Sequence, residues 1–263
     1  MTTPRPEIGI IGGSGLYSLF THGREEIPDT PYGRASAEVT IGELAGRQVA
    51  FVPRHGRHHQ YAPHVINYRA NLWSLHTLGV QRVIGVGAVG SLTPSVPPGS
   101  LVIQDQLVDR TTSRVQTYFD CPDVAHASFA DPYCPSGRRT AVQAAEKSGW
   151  PPVEGGVQVV IEGPRFSTRA ESQWYAAQGW STIGMTAYPE VVLARELGLC
   201  YTPLSLVTDL DAGVEAGSGV TQDDVMDAFA ANLGRLNAVL DELVALLPGE
   251  RDCDCASLKP GVM

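Results

Sequence analysis

Short apolar runs rich in β-branched residues alternate with segments of helical period along most of the chain, and this alternation restricts the fold more than any other feature. Residues 8–11, 49–53, 82–86, 101–106, 157–162 and 201–208 read as strands. Residues 67–78, 140–148, 190–197 and 223–247 carry apolar residues at helical spacing, with Gly79 and Gly149 as C-caps and Pro248 as a stop. Strands interleaved with helices imply an α/β sheet covered by helices on its faces. In such sheets ligands gather beyond the strand ends, where this chain concentrates its glycines, histidines and acids.

Composition removes several functional classes. At 263 residues, 43% of them hydrophobic and 18% charged, the chain can bury one sizeable core. A formal charge of −9 opposes both a nucleic-acid footprint and a cationic membrane surface, which leaves a small-molecule substrate. Residues 1–7 hold no apolar signal segment and no stretch is long enough to span a bilayer, so a cytoplasmic location is expected.

Gly85-x-Gly87-x-x-Gly90 matches the dinucleotide fingerprint, yet Thr93-Pro94-Ser95-Val96-Pro97-Pro98-Gly99 follows it and cannot form the helix whose N-terminus would face pyrophosphate. A nicotinamide dehydrogenase is therefore disfavoured. The segment from Gly87 to Ser91 reads instead as a glycine loop, either a plain turn or a place where bare N–H groups approach an anion. Ser14 among its glycines, Arg54 with His55, and Ala88 together offer hydroxyl, guanidinium and backbone donors of the kind phosphate requires, with Arg54 able to bind it through two N–H groups. An ordinary turn beside a surface arginine would look the same from spacing alone.

His55, His58, His59 and His64 lack the spacing and carboxylate support of a metal site, and no metal is expected. The five cysteines show no C-x-x-C pairing and read as buried or idle thiols. Cys253-Asp254-Cys255 lies in a tail, residues 250–263, expected to be mobile beside a single domain of residues 1–249. A strained C-x-C disulfide is conceivable there, but nothing around the pair lowers a thiol pKa.

Several motifs together resemble the trimeric purine nucleoside phosphorylases: Ile10-Ile11-Gly12-Gly13-Ser14-Gly15-Leu16, Arg54-His55-Gly56, Asn67-Tyr68-x-Ala70-Asn71, Gly90-Ser91-Leu92, Glu162-Gly163-Pro164-Arg165-Phe166, Gly184-Met185-Thr186 and Pro189-Glu190-Val191. They run in the family's order from residue 8 to about 211. The resemblance implies a single-domain α/β fold with a mixed central sheet flanked by helices, a homotrimer, and a site completed by a neighbouring subunit.

It also implies roles. Phosphate is expected on Ser14, Arg54, His55, Ala88 and Thr186, with Gly87 offering only its backbone N–H where relatives use a threonine hydroxyl. Phe166 and Met185 match positions that pack on base and ribose, and His126 resembles a histidine reaching into the adjacent subunit's 5' pocket. Ser167, Asp211 and Gln222 are expected among the substrate-binding residues. Gly184 stands where some relatives have asparagine.

The subclass turns on Val207-Thr208-Asp209-Leu210-Asp211. The family's 6-oxopurine enzymes have asparagine at the position of Asp209, whereas the methylthioadenosine branch has the Asp-x-Asp pair. A protonated Asp209 can donate to N7 and accept from a 6-amino group. A turn-forming acidic pair is the plain alternative.

The resemblance thus implies phosphorolysis of S-methyl-5'-thioadenosine by a pentosyltransferase of purine and methionine salvage. Asp209 would be the general acid and inorganic phosphate a co-substrate, with no organic cofactor. Apolar lining for the methylthio group is sought in residues 220–222 and in His126 of a neighbour. A 6-oxopurine nucleoside or methylthioinosine phosphorylase remains the alternative, and a non-catalytic nucleoside-binding protein the outside one.

Overall fold

The computed structural model describes residues 5–16, 20, 23–120, 122–215 and 219–261, without the side chain of Ser14. Its elements in chain order are β1 (Ile8–Gly12), β2 (Arg24–Glu26), β3 (Val39–Leu44), β4 (Arg47–Pro53), α1 (Tyr68–Thr77), β5 (Arg82–Ser91), β6 (Leu101–Ile103), β7 (Gln106–Arg110), α2 (Pro135–Lys147), β8 (Val153–Glu154), β9 (Val157–Ile161), α3 (Arg169–Ala177), β10 (Thr182–Gly184), α4 (Ala187–Glu196), β11 (Cys200–Leu210) and α5 (Gln222–Leu246).

One mixed sheet holds all eleven of these strands. Its main path runs β2-β3-β4-β1-β5-β10-β9-β7, and β11, β6 and β8 branch from the other edge of β5. The α/β class and mixed sheet expected from the sequence are what the chain forms. On one face α2 and α5 pack together over Ile10, Phe51, Ile84, Leu204 and Leu206. On the other, α1 and α4 cover Ile11, Val52, Val83 and Tyr201. Both faces of the central strands are therefore buried, which is why β1 and β11 are apolar runs without polar alternation.

Three expectations need correction. The stretch from Gly87 to Ser91 is not a loop: β5 continues to Ser91 because β11 pairs with it over its whole length, Cys200↔Arg82 through Leu210↔Ser91. Residues 101–106 form two strands, since β6 pairs with β11 and β8 while β7 pairs with β9 in a different branch. The tail is docked rather than loose, with Arg251 Nη1 donating to the Gly198 carbonyl at 2.8 Å and Cys253 and Cys255 packed against Cys134 and Cys200.

The long central strand has one consequence for the site. β1 accompanies β5 only as far as Ile11↔Gly85, and β10 takes up the same edge only at Gly90 and Ser91. Between them, from Val86 to Val89, that edge of β5 carries no strand partner among the described residues. A cavity opens at this gap.

Candidate active site

The cavity has a volume of about 490 Å³, within the range of small-molecule sites. Its floor is the open edge of β5, and its walls come from the ends of β1, β4, β10 and β11, the segment around Phe166, and the first turns of α5. Arg54, His55, Gly87, Ala88, Thr186, Phe166, Ser167, Met185, Asp209, Asp211 and Gln222 all line it. Gly13 and Gly15 line it as well, whereas the side chain of Ser14 lies outside the described set. His126 is exposed in an irregular segment and does not line this chain's cavity.

Arg54 is 2% exposed, and its guanidinium is more committed than sequence suggests. Nε and Nη2 both donate to Glu190 at 2.8 Å, Nη1 donates to the Val86 carbonyl at 2.7 Å, and Nη2 also reaches the Ile11 carbonyl at 3.2 Å. Burial opposes its charge, but the Glu190 carboxylate outweighs that and holds the guanidinium protonated. Of five N–H groups, four serve the protein and one on Nη1 remains. The two-pronged partner of Arg54 is Glu190, which Tyr201 Oη also contacts at 2.6 Å.

His55 is almost fully buried beside it, its ring stacked on His59 with centroids 4.4 Å apart. Burial pulls its pKa down to about 4; the hydrogen bond to the Tyr61 carbonyl works against this, and the charge of Arg54 adds to it. Nδ1 lies 2.8 Å from that carbonyl oxygen, which only accepts, so the neutral ring carries its proton on Nδ1 and presents Nε2 as an acceptor.

Alternation along β5 sorts its backbone groups. The Val86 carbonyl faces the gap, where Arg54 uses it, and the Val89 carbonyl faces β11, where Thr208 Oγ1 contacts it at 3.3 Å. The N–H of Ala88 therefore points with Val86 into the gap, and that of Gly87 toward β11. Gly87 contributes space rather than a donor: a Cβ there would meet only Thr186 Oγ1, at 3.9 Å. The Thr186 side chain makes no cap bond to α4.

The other two glycines of the false fingerprint have steric reasons. A Cβ on Gly85 would stand 1.9 Å from Tyr201 Oη, and one on Gly90 would stand 2.8 Å from Asp209 Oδ1. Asp209 thus lies directly over the end of β5. It reaches that position through a bulge, since the pairing of β11 with β5 slips between Val207 and Asp209.

Burial pushes the Asp209 carboxyl above its ordinary range; the Thr208 hydroxyl, 2.8 Å from Oδ2, opposes this, and the charges of Asp211 and Asp224 reinforce it. Burial also raises Asp211, which is 3% exposed, against the pull of the Ser172 hydroxyl, the Ala212 N–H and the Ser167 hydroxyl. One oxygen of Asp211 and the Ser167 hydroxyl are buried without a well-formed partner within the chain. Two acids with elevated pKa values next to unfilled polar groups describe a place where a polar ligand edge is received.

Sequence reasoning misses two parts of the site. Val225, Met226 and Phe229 join the expected Gln222 on one face of α5 over the cavity, at the i, i+3, i+4, i+7 spacing that could have marked them. Thr221 fixes that first turn with a capping box to Asp224. Arg114 donates to the carbonyls of Met185, Tyr188, Ile161 and Glu162, tying the cavity's far wall together.

A phosphorylase superfamily model matches residues 7–245. The chain is 56% identical to a purine nucleoside phosphorylase of Streptomyces coelicolor, covering 98% of this chain and 96% of that one. It is 52% identical to an S-methyl-5'-thioadenosine phosphorylase of Mycobacterium tuberculosis, covering 97% and 95%. A methylthioadenosine phosphorylase sourced from an Antarctic soil metagenomic library superimposes with a TM-score of 0.90 at 40% identity, covering 97% of this chain and 91% of that one.

Proposed function

The chain belongs to the phosphorylase superfamily, and from that premise we propose that it cleaves S-methyl-5'-thioadenosine with inorganic phosphate, releasing adenine and 5-methylthioribose 1-phosphate. The observation that carries the reading is Asp209, an acid with a raised pKa held over Gly90 at one end of a cavity whose other end gathers anion donors.

Phosphate is held by the Ala88 N–H, the Thr186 hydroxyl, the remaining Nη1 proton of Arg54 and the backbone around Ser14. Hydrogen phosphate keeps one P–OH at neutral pH, and Nε2 of His55 accepts from it. The charge of Arg54, although largely paired, stays beside the anion. Phosphate then attacks C1' as the glycosidic bond lengthens, and Asp209 donates to N7 of the leaving adenine while its other oxygen accepts from the 6-amino group. Phe166 and Met185 pack against base and ribose. Ser167, Asp211 and Gln222 complete the polar lining, and Val225, Met226 and Phe229 supply the apolar surface that a methylthio group requires. The reaction calls on no organic cofactor.

The active species is a homotrimer in the cytoplasm, each His126 serving a neighbour's 5' pocket. Among the described residues no helix is long and apolar enough to cross a membrane. Sedimentation of the active species tests the assembly, and a fully active monomer overturns it.

A second reading, phosphorolysis of other purine nucleosides such as the 6-oxopurine inosine, is prompted by the Streptomyces relative's broader name, purine nucleoside phosphorylase. Adenine release from methylthioadenosine, measured with and without phosphate and compared with hypoxanthine release from inosine, tests both. Phosphate-dependent adenine release with the higher kcat/KM supports the proposal; a preference for inosine supports the second reading.

A further inference from the structure

At the opposite end of β11 from Asp209, three distant segments bring four cysteines together. Cys134 is the N-cap of α2, Cys200 opens β11, and Cys253 and Cys255 flank Asp254 in the docked tail. All four Sγ atoms lie within 4.8 Å of one another. Cys253 is 3.6 Å from Cys134 and 3.4 Å from Cys200, sulfur to sulfur. A disulfide bond is about 2.05 Å long, so these are four separate thiols. Four sulfurs placed tetrahedrally about 2.3 Å from a zinc ion stand roughly 3.8 Å apart, close to the separations seen.

The surroundings suit thiolates. Cys134 Sγ accepts from the Gly137 N–H at 3.3 Å at the start of α2, where the helix end favours negative charge. Three of the four side chains are buried and Cys253 is half-buried. The tail is held in position by further contacts: Ser136 Oγ donates to Asp252, and Arg251 reaches the Gly198 carbonyl. The set contains only sulfur, which selects thiophilic ions and excludes magnesium and calcium. It leaves no position open for water or substrate, so an ion there has a structural rather than a catalytic part.

We propose that Cys134, Cys200, Cys253 and Cys255 bind one zinc ion in a closed tetrathiolate site that fastens the C-terminal tail to the start of β11 and α2. Binding consumes one Zn²⁺ and releases four thiol protons, with no change in oxidation state. Cys200 and Asp209 are nine positions apart on one strand, roughly 30 Å at about 3.3 Å per residue, so the ion acts on stability and not on the chemistry of the cavity.

The test uses the full chain produced in zinc-supplemented medium and purified with a thiol reductant and without chelator. Elemental analysis is expected to give about one zinc per chain, released on titration of the thiols with a mercurial. Exchange with Co²⁺ is expected to give the thiolate charge-transfer and visible bands of tetrahedral cobalt. The double variant Cys253→Ser/Cys255→Ser should lose the metal and unfold at a lower temperature, while its kcat/KM well below that temperature stays within about twofold of the parent. Those tail residues are chosen because Cys134 and Cys200 are buried at the starts of α2 and β11, where a substitution can disturb the fold itself. A folded, reduced chain without stoichiometric zinc and without the cobalt spectrum overturns the proposal. So does a metal-free native chain four hydrogens lighter than the reduced form, which would mark two disulfides instead.

Discussion

Arg54 and Glu190 face each other through two parallel hydrogen bonds of 2.8 Å, beneath the cavity and out of contact with solvent. The charge lent to phosphate therefore depends on a carboxylate that does not touch it. Glu190→Gln leaves a buried guanidinium uncompensated and is expected to cost about 3–5 kcal/mol of stability, read as a lowered urea midpoint with an unchanged slope. A midpoint within experimental error of the parent would mean that Arg54 finds another partner. Arg54→Lys should raise the phosphate KM by tenfold or more, about 1.4 kcal/mol, because a lysine has no planar fork to span Glu190 and the Val86 carbonyl.

Asp209→Asn retains shape and hydrogen-bonding capacity but removes the proton. Cleavage of methylthioadenosine should fall by roughly 10² or more, and cleavage of methylthioinosine much less, since its O6 accepts from the new amide. The ratio of the two kcat/KM values is the readout, and a ratio like the parent's would remove Asp209 as the discriminator. Because burial raises this carboxyl, its acid form persists to higher pH than that of an ordinary aspartate. The rate of the parent should fall as pH rises through that elevated pKa, and the variant should lose this limb of the profile.

Gly90→Ala tests the same carboxyl by displacement. The added Cβ would stand 2.8 Å from Asp209 Oδ1 and must push it aside. A fall in kcat without a matching loss of thermal stability is expected, whereas Gly87→Ala, facing open space, should be mild. Equal effects from both would show that the crowding over Gly90 does not matter.

His55 should make stability depend on pH in a defined window. Its folded pKa, about 4, lies below the 6.5 of an unfolded histidine, so its contribution is complete above pH 6.5. As pH falls from 6.5 toward 4 the unfolded chain takes up a proton that the folded chain refuses, and stability declines by on the order of 2–3 kcal/mol. Nearby acids titrate in the same range, so the measurement is the difference between the parent and His55→Gln. Parallel curves would exclude a neutral buried His55.

Val225→Asn should make the apolar face of α5 polar and cost methylthioadenosine about 1–3 kcal/mol in kcat/KM, with a smaller loss for adenosine, whose 5' hydroxyl gains a partner. An equal loss for both substrates would place the methylthio group elsewhere.

The parts of this architecture legible in sequence are those governed by local pattern. The apolar runs at Ile8, Val49 and Tyr201 have no other sensible fate than buried strands, and α5 shows its period over twenty-five residues. The strand over Val39–Leu44 escapes notice because Gly42 and Glu43 interrupt it, and β10 is only three residues long. The motifs that assemble the cavity are readable, but the state of their side chains is not. Nothing near Arg54 indicates that its fork is filled by Glu190, 136 positions away. The four cysteines illustrate the same limit: metal-site spacing is a local signal, and here the fold brings together Cys134 and Cys253, 119 positions apart.

The slip in register between Val207 and Asp209 has an implication for how this site can change through evolution. Along a regular strand the facing of a side chain is a matter of odd and even count, so Val207 and Asp209 would share a side. The one unmatched residue, Thr208, reverses the parity: Val207 packs with Val89, Val96 and Val102, while Thr208 and Asp209 both turn to the cavity. The aim of the acid is therefore written in the register of the strand as well as in its letters. Were Thr208 drawn into regular pairing with β5, Asp209 would remain in the chain yet share the side of Val207 and face the apolar cluster, a loss of function that no comparison of residue identities at the site would reveal.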